Sequence, residues 1–381
     1  MNSSQVGFGV LGPLELTAGD TPVSLGSRKQ RAVLAMLVIN RNRVVGSEAL
    51  IDAVWGQRAK QEARASLHTY VSNLRRLLND AGVDGRTVLA AAPTGYRLTV
   101  PDIDCDIGRF VSEKTAGLRA AAAGQFDLAS RHLSAGLAEW RGRVLEDIAD
   151  FEFVAAFAAA LVDDKVDMYT ALAESEIACG RGSSVISALE GLVAEHPYRE
   201  PLWAQLIIAY YIAERQSDAL DAYRRLKTAL SEDLGIDPGP TVRGLHGRIL
   251  RQEVLDVRRA AVTAAASTLG RRTTATGRAA VARLHALSGQ VYPLTGAATR
   301  IGRLADNDVV LDDAEVSRHH AVVSDTGTGF VITDLRSANG VHVQDRRIRG
   351  SVALADRDRI RICHHEFVFE LSTGPDGSEI S

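Results

Sequence analysis

The spacing of apolar residues along the 381-residue chain changes near residues 101 and 283. Before the first of these points, short alternating runs typical of strands precede three segments in which apolar residues recur every three or four positions, as in amphipathic helices. The helical segments are residues 27–40, the segment opened by Ser47, and residues 64–79. A Pro-Thr-Gly turn at 93–95 then predicts a closing hairpin. We interpret residues 1–101 as one α+β domain.

Residues 104–252 are predicted to be helical almost throughout, because alanine is abundant and β-branched runs are few. Glycines and prolines interrupt the pattern at intervals that suit paired helices. The residues that follow tetratricopeptide spacing are Trp203, Leu206, Tyr210, Ala219 and Tyr223. Two interpretations stay open: a surface for dimerisation or for RNA polymerase, and a spacer whose aromatic residues only form a core.

In the last third of the chain, a polar segment is followed by a series of short strand-like segments. Residues 253–282, rich in Ala, Thr and Arg, are interpreted as a linker. Residues 283–372 contain short alternating runs separated by Gly, Asp and Asn, which is the pattern of an all-β sandwich. Residues 373–381 are expected to be a disordered tail. The predicted fold class is therefore multidomain: α+β, then all-α, then all-β.

Charge is distributed unevenly along the chain. The net charge is -3, but residues 1–100 carry +5 and residues 101–252 carry -8. A basic first domain on an acidic protein favours a local nucleic-acid contact surface. Three widely spaced cysteines, the absence of a signal-like start and the absence of a long apolar run favour a cytoplasmic protein without membrane insertion.

Three loops of the predicted sandwich carry groups suited to binding phosphate. They are residues 299–303 (Thr-Arg-Ile-Gly-Arg), 316–320 (Val-Ser-Arg-His-His) and 334–340 (Asp-Leu-Arg-Ser-Ala-Asn-Gly). A phosphothreonine carries nearly two negative charges and three strong acceptor oxygens, so it needs a guanidinium, hydroxyls and backbone N–H groups on a rigid scaffold.

These loops, in this order, resemble those of the forkhead-associated family. The resemblance implies that Arg303 and Ser317 hold the phosphate and that Ser337 adds a hydroxyl or backbone contact. It further implies that Asn339 bonds the peptide backbone, that Arg318 faces the residues flanking the phosphothreonine, and that His320 belongs to the scaffold.

Two histidine pairs, His319-His320 and His364-His365, raise the question of a metal. Adjacent residues on a strand point to opposite faces, so we expect neither pair to chelate an ion. We also expect no cofactor. The sequence has no Gly-rich lysine loop, zinc spacing or nucleophile motif, so the protein is not expected to be an enzyme.

The third predicted helix carries an apolar stripe on one side and DNA-binding residue types on the other. The outward residues are Arg64, His68, Thr69, Ser72, Asn73, Arg75 and Arg76. They are partners for phosphates and base edges, and no acidic residue lies among them. Arg28 and Lys29, at the start of the first helix, are further candidates for a phosphate contact near a helix N-terminus.

Residues 71–78 and the hairpin at 93–98 resemble the winged helix-turn-helix domain of OmpR-type regulators. The resemblance implies that the third helix enters the major groove and that the wing contacts the neighbouring minor groove or backbone. His68, Thr69 and Ser72 are then candidates for reading bases, and Arg64, Arg75 and Arg76 for phosphate contacts. Wing candidates are Thr94 and Arg97, while Tyr96 is expected in the wing core. No arginine occupies a base-reading position, so specificity is expected to be modest or to need a dimer on repeated half-sites.

The winged helix, the helical array and the Asp-Leu-Gly-Ile-Asp-Pro motif at 233–238 together resemble regulators related to the Streptomyces antibiotic regulatory proteins. In them the array is a bacterial transcriptional activation domain. The added forkhead-associated module, with residues 29–43 and 317–322, resembles mycobacterial members of the group. This implies a phosphoprotein controlled by a membrane Ser/Thr kinase, acting on cell-wall arabinosyltransferase genes.

The main hypothesis is a transcriptional regulator with two signals. The C-terminal domain docks on a phosphorylated kinase, the kinase phosphorylates threonines elsewhere on the chain, and the affinity for double-stranded DNA changes. Thr273, Thr274 and Thr276 are candidate phosphosites. The alternative is an adaptor or decoy that inhibits the phosphorylated kinase without regulating a promoter.

Overall fold

The computed structural model describes the chain in ten stretches. They are residues 6–19, 21–56, 60–273, 281–287, 289–294, 298–304, 307–325, 330–335, 337–348 and 350–372. Residue contacts divide the chain into two compact units. One unit comprises Met1–Arg109, Glu139–Val162 and Arg271–Ser381, and the other comprises Phe110–Ala138 and Asp163–Gly270. Among the described helices, none has the length and apolar character needed to cross a membrane.

The N-terminal domain consists of short antiparallel strands around a group of helices. The strands are β1 (Val6–Gly9), β2 (Glu15–Ala18), β3 (Thr21–Pro22), β4 (Val44–Gly46), β5 (Leu89–Ala92) and β6 (Gly95–Leu98). The helices are α1 (Arg28–Ile39), α2 (Ser47–Trp55), α3 (Lys60–Asp80) and the single turn α4 (Gly85–Val88). The strands form two sheets, ordered β1-β2-β3 and β4-β6-β5. The predicted winged-helix arrangement is confirmed.

Local sequence signals account for these helices. Ser27 caps α1, its hydroxyl accepting from the backbone N–H of Gln30 at 3.4 Å, and Asn40 ends the helix. The predicted stripe on α3 is buried, with Leu67 and Leu74 each 1% exposed. Because this stripe packs inward, the polar side of α3 is left facing solvent. The helix begins four residues before its predicted start, at Lys60.

The predicted helical array is also present. Its helices are α5 (Asp106–Ala122), α6 (Phe126–Ala138), α7 (Glu152–Ala178), α8 (Gly182–Glu195), α9 (Glu200–Ile212), α10 (Gln216–Leu234), α11 (Pro240–Leu250) and α12 (Val257–Thr273). Trp203, Leu206, Tyr210 and Ala219 belong to one buried cluster. The Trp203 indole N–H donates to the Pro197 carbonyl at 2.8 Å. These residues of the tetratricopeptide pattern are therefore core residues.

Most of the predicted linker at 253–282 is a packed helix. On α12, Ala261 is buried against Phe126 and Ala178, and Arg258 donates to the Ala178 carbonyl at 3.0 Å. The contacts on α12 are made by an alanine and by the guanidinium of Arg258, which hydrophobic patterning does not recognise as a core face. Residues 274–280, with two of the candidate phosphosites, lie outside the described residues.

The C-terminal domain is a sandwich of two sheets. Its strands are β7 (Val281–Ala286), β8 (Val291–Leu294), β9 (Ala298–Gly302), β10 (Val309–Val310), β11 (Ala321–Asp325), β12 (Phe330–Asp334), β13 (Val341–Val343), β14 (Arg346–Arg347), β15 (Ser351–Leu354), β16 (Arg359–Ile362) and β17 (His365–Ser372). The sheets are ordered β10-β9-β11-β12-β15 and β14-β13-β16-β17-β7-β8. The predicted all-β sandwich is confirmed, beginning at Val281, and the predicted tail at 373–381 lies outside the described residues.

Two glutamates of the helical array have opposite electrostatic environments. Burial raises the pKa of Glu174 from 4.5 to about 7, although Gln205 donates to its carboxylate at 3.2 Å. Because protonation is favoured in the folded state, the free energy of unfolding falls as the pH rises from 4.5 towards 7. Hydrogen bonds from Arg225 instead lower the pKa of Glu190, so this group contributes stability at neutral pH.

We expect Glu174→Gln to raise the free energy of unfolding by about 1–3 kcal/mol near pH 8 and to change it little near pH 4. Urea denaturation followed by circular dichroism at both pH values measures this. Glu190→Gln is the matched control and should lower stability near pH 8. An equal effect of Glu174→Gln at the two pH values would contradict the assignment.

Candidate functional site

A cleft of about 540 Å³ lies at the end of the sandwich where the predicted phosphate-binding loops meet. Three of the five predicted residues line it: Arg303, Ser317 and Arg318. The remaining lining residues are Glu152, Ala314, Glu315, Val316, His319, Leu335 and Ala338. The cleft therefore combines two arginines and a hydroxyl, which are partners of a phosphate.

Arg303 and Ser317 are held together by the backbone. The N–H of Arg303 donates to the Ser317 carbonyl at 3.0 Å, and the Arg303 Nε donates to the Val316 carbonyl at 3.3 Å. The Ser317 hydroxyl oxygen accepts from the Ala338 N–H at 3.1 Å, so its proton remains available to donate. Ser317 thus joins the second loop to the third.

Ser337 and Asn339 do not line the cleft. Ser337 is buried, and its hydroxyl oxygen accepts from the Gly340 N–H at 3.0 Å. This bond shapes the turn, and the hydroxyl or backbone contact of Ser337 to a phosphate stays a prediction. Asn339 is exposed, and its amide donates to the Glu315 carbonyl at 2.9 Å.

His320 is fully buried and connects all three loops. Its Nδ1 accepts from the Ser317 N–H at 3.0 Å, and its Nε2 donates to the Gly340 carbonyl at 3.1 Å. Its backbone N–H and C=O bond Ile301 and Leu335. The predicted scaffold role of His320 is confirmed.

The conformation of the first loop depends on Gly302 and on Asn307. Asn307 was not among the residues predicted from the sequence. A Cβ on Gly302 would lie 2.4 Å from the Arg318 carbonyl oxygen, so only glycine allows this approach. The Asn307 amide donates to the carbonyls of Leu304 and Arg318, both at 2.8 Å. An asparagine in a loop has many uses, so no pattern singled it out.

The cleft also contains an acidic residue from outside the sandwich. Glu152, the first residue of α7, lines the cleft with Arg303 and Arg318. Because it lies some 150 positions away in the sequence, no motif could have predicted it. A carboxylate here opposes the binding of a phosphate by like-charge repulsion.

The histidines at 364 and 365 converge, contrary to expectation. His364 lies in the two-residue turn between β16 and β17, where Cys363 has φ +53°. Its side chain therefore does not follow the alternation between the two faces of a strand on which the expectation rested. Its Nε2 is 2.7 Å from the Asp313 Oδ2, and the Nε2 of His365 is 3.1 Å from the same oxygen. A hydrogen bond from the Glu315 N–H lowers the pKa of Asp313.

The outward face of α3 is partly as expected. His68, Thr69, Ser72 and Arg76 are exposed. The Thr69 hydroxyl donates to the Ala65 carbonyl at 3.0 Å. On the hairpin, Thr94 and Arg97 are exposed, and Tyr96 is 6% exposed as expected of the wing core.

Two α3 candidates also bond the hairpin. The His68 Nδ1 lies 2.8 Å from the Tyr96 hydroxyl. Arg75 Nε donates to the Leu89 carbonyl at 2.9 Å, and its guanidinium lies 5.9 Å from the centre of the Tyr96 ring. Arg75 therefore fastens the helix to the wing, and its contact with a DNA phosphate stays a prediction.

The remaining basic candidates have partners within the protein. Arg28 forms an ion pair with Asp150, and Arg64 with Glu48 at 2.5 Å. The Lys29 ammonium lies 5.5 Å from the centre of the Trp55 ring. Contact of Arg28 or Arg64 with DNA would require exchange of a carboxylate for a phosphate.

Each of the three domains matches a protein family model. Residues 20–98 match the model described as Transcriptional regulatory protein, C terminal, and residues 105–250 match the Bacterial transcriptional activator domain. Residues 299–363 match the FHA domain. These matches define a DNA-binding transcriptional regulator with a forkhead-associated module, which is not an enzyme.

Full-length relatives give the particular family. The chain is 65% identical to the Transcriptional regulatory protein EmbR of Mycobacterium tuberculosis, over 97% of this chain and 96% of that protein. A solved structure of M. tuberculosis EmbR in complex with a low affinity phosphopeptide matches with a TM-score of 0.94 and 64% identity, covering 98% of this chain and all of that one. The chain therefore belongs to the EmbR family.

More distant relatives share part of the chain. The Transcriptional regulatory protein MoaR1 of M. tuberculosis is 53% identical over 66% of this chain and 81% of that protein. The Regulatory protein DnrI of Streptomyces peucetius is 32% identical over 64% of this chain and 92% of that protein. The resemblance to the Streptomyces regulators is thus confirmed.

We expect His320→Ala to destabilise the loop end of the sandwich by about 2–4 kcal/mol, because it leaves a cavity and unsatisfied backbone groups. Hydrogen–deuterium exchange of peptides from residues 301–343 measures local opening. His285→Ala is the control, since that histidine pairs with Glu370 at the surface of β7, and it should change exchange little. Unchanged protection in His320→Ala would contradict the scaffold role.

Proposed function

We propose that this regulator docks through its forkhead-associated domain on a phosphothreonine of a Ser/Thr protein kinase and that phosphorylation controls its binding to DNA. The observation that carries the proposal is a single chain with a cleft of two arginines and a serine and a separate exposed polar face on α3. By similarity to EmbR, its targets would be cell-wall arabinosyltransferase genes.

In the proposed complex, Arg303 supplies a guanidinium to the phosphate and Ser317 donates its hydroxyl proton. Arg318 faces the peptide residues beside the phosphothreonine. Asn339 bonds the peptide backbone while its amide keeps the bond to the Glu315 carbonyl. The solved structure of M. tuberculosis EmbR in complex with a low affinity phosphopeptide supports phosphopeptide binding by this chain.

On the DNA side, Thr69, Ser72 and His68 are the proposed base-reading residues, and Arg76 is the proposed phosphate contact of α3. Thr94 and Arg97 would contact the neighbouring groove from the wing. Because His68 already bonds the Tyr96 hydroxyl through Nδ1, its other ring nitrogen is the one proposed to face a base.

We expect a phosphothreonine peptide to bind far more tightly than its unphosphorylated form, with Arg303→Ala weakening binding about tenfold to a hundredfold through loss of a charge-assisted bond. Fluorescence anisotropy with phosphothreonine, phosphoserine and plain peptides measures this. Glu152→Gln should strengthen binding, because it removes a negative charge from the cleft.

The matched control for the peptide experiment is Arg357→Ala. This arginine is 71% exposed and pairs with Glu370, and it lies in the turn after β15, at the opposite end of β16 from His364. Its substitution should leave peptide affinity unchanged. Equal affinity for phosphorylated and plain peptides would refute phosphate recognition.

We expect Arg76→Ala to weaken DNA binding similarly on all sequences and to reduce the slope of log affinity against log salt by about one. Gel shifts over a salt series with arabinosyltransferase promoter fragments measure this. Arg119→Ala, at an exposed position on α5, is the control. Absence of specific binding at moderate salt, with or without kinase, would favour the decoy alternative.

A further inference from the structure

The loop from Asp313 to Glu315 faces the turn between β16 and β17, and three donor groups meet there. Ligand atoms of Asp313, His364 and His365 all lie within 4.8 Å of one another. The two imidazole Nε2 atoms approach the same carboxylate oxygen at 2.7 and 3.1 Å. The rings are stacked, with centres 5.2 Å apart.

We propose that Asp313, His364 and His365 form a binding site for a divalent transition metal ion, with zinc as the expected occupant. Two imidazoles and one carboxylate are a donor set that suits zinc, and three protein ligands leave one position for water. Direct hydrogen bonds from both histidines to Asp313 need a proton on each Nε2. A metal ion between the three side chains would instead accept the lone pairs of both Nε2 atoms and of the carboxylate oxygen.

The surroundings of these groups resemble the outer shell of a metal site. The other carboxylate oxygen of Asp313 accepts from the Glu315 N–H at 2.9 Å, which aims Oδ2 at the histidines. The Nδ1 of His364 lies 3.6 Å from the Glu315 carboxylate. Metal-bound histidines commonly place their second ring nitrogen against a carboxylate, which fixes the tautomer and orients the ring.

The site adjoins the residue proposed to read the peptide backbone. The Glu315 carbonyl accepts from the Asn339 amide at 2.9 Å and from the Cys363 thiol at 3.2 Å. A metal ion bound by Asp313 and His364 would fix the two segments that hold Asn339. This coupling rests on the proposed phosphopeptide function, whereas metal binding itself does not.

Isothermal titration of the metal-free full chain with zinc chloride tests the site. We expect one zinc ion bound per chain at this site. His364→Ala and His365→Ala should weaken its binding by more than the roughly 10–100-fold lost when an outer-shell partner is removed, and Glu315→Gln by an amount within that range. His285→Ala, whose imidazole pairs with Glu370, should have no effect.

Cobalt substitution provides a second readout, because visible absorption by bound Co²⁺ reports its coordination directly. His364 is exposed in a turn, so its substitution should leave the fold intact, and circular dichroism checks this. The proposal would be overturned if the wild-type chain does not bind zinc, or if both histidine variants bind zinc as tightly as the wild-type chain does.

Phosphopeptide affinity with zinc and with a chelator tests the coupling. We expect severalfold tighter binding with zinc in the wild-type chain and no difference in His364→Ala. Zinc binding without any change in peptide affinity would overturn the coupling and leave the metal site standing. A wild-type chain that binds zinc but no phosphopeptide would refute the proposed docking function and the coupling, and would still support the metal site.

Discussion

The arrangement of the phosphate-reading loops depends on one buried imidazole. His320 accepts from the second loop at Ser317 and donates to the third loop at Gly340, while its backbone bonds the end of the first loop at Ile301. Both ring nitrogens are used, Nδ1 as an acceptor and Nε2 as a donor. Since a buried polar group left without partners is costly, these loops are held as one unit. The side chains of Arg303 and Ser317 add one bond each to this arrangement, and both residues still line the cleft.

The acidic segment from Asp147 to Glu152 links the two candidate sites. Asp147 pairs with Arg31 and Asp150 with Arg28, both on the first helix of the DNA-binding domain. Two residues later, Glu152 lines the phosphate cleft. One short stretch of chain thus places carboxylates beside the cations of one site and inside the other. The sandwich contacts the DNA-binding domain directly as well, through the ion pair of Arg300 with Asp52 at 3.2 Å.

Patterns of local sequence predicted the fold class of each domain and the helix that carries the DNA-facing residues. Ser27 and Asn40 marked the ends of α1, and the apolar stripe of α3 fixed which of its faces is exposed. Contacts between distant residues could not be read in this way. Arg75 is a residue type that commonly contacts DNA, yet it also bonds the wing. His364 does not follow the alternation of side chains along a strand, because a two-residue turn places it outside β17. The packing of α12 was missed because its buried residues are alanines, which also abound in linkers.

The first unit contains two kinds of polar contact, one buried and one exposed to solvent, and they contribute differently to stability. The buried carboxylate of Asp106 accepts from the N–H groups of Val10 and Leu11 and from Arg141, and it is shielded from water and salt. The pair of Arg28 with Asp150 has side chains that are 55% and 59% exposed, so it contributes at most about 1 kcal/mol. A contact of that strength can be exchanged for a phosphate without unfolding anything. In the proposed control of DNA binding, contacts of the second kind respond to a change of charge, while contacts of the first kind keep the domain folded.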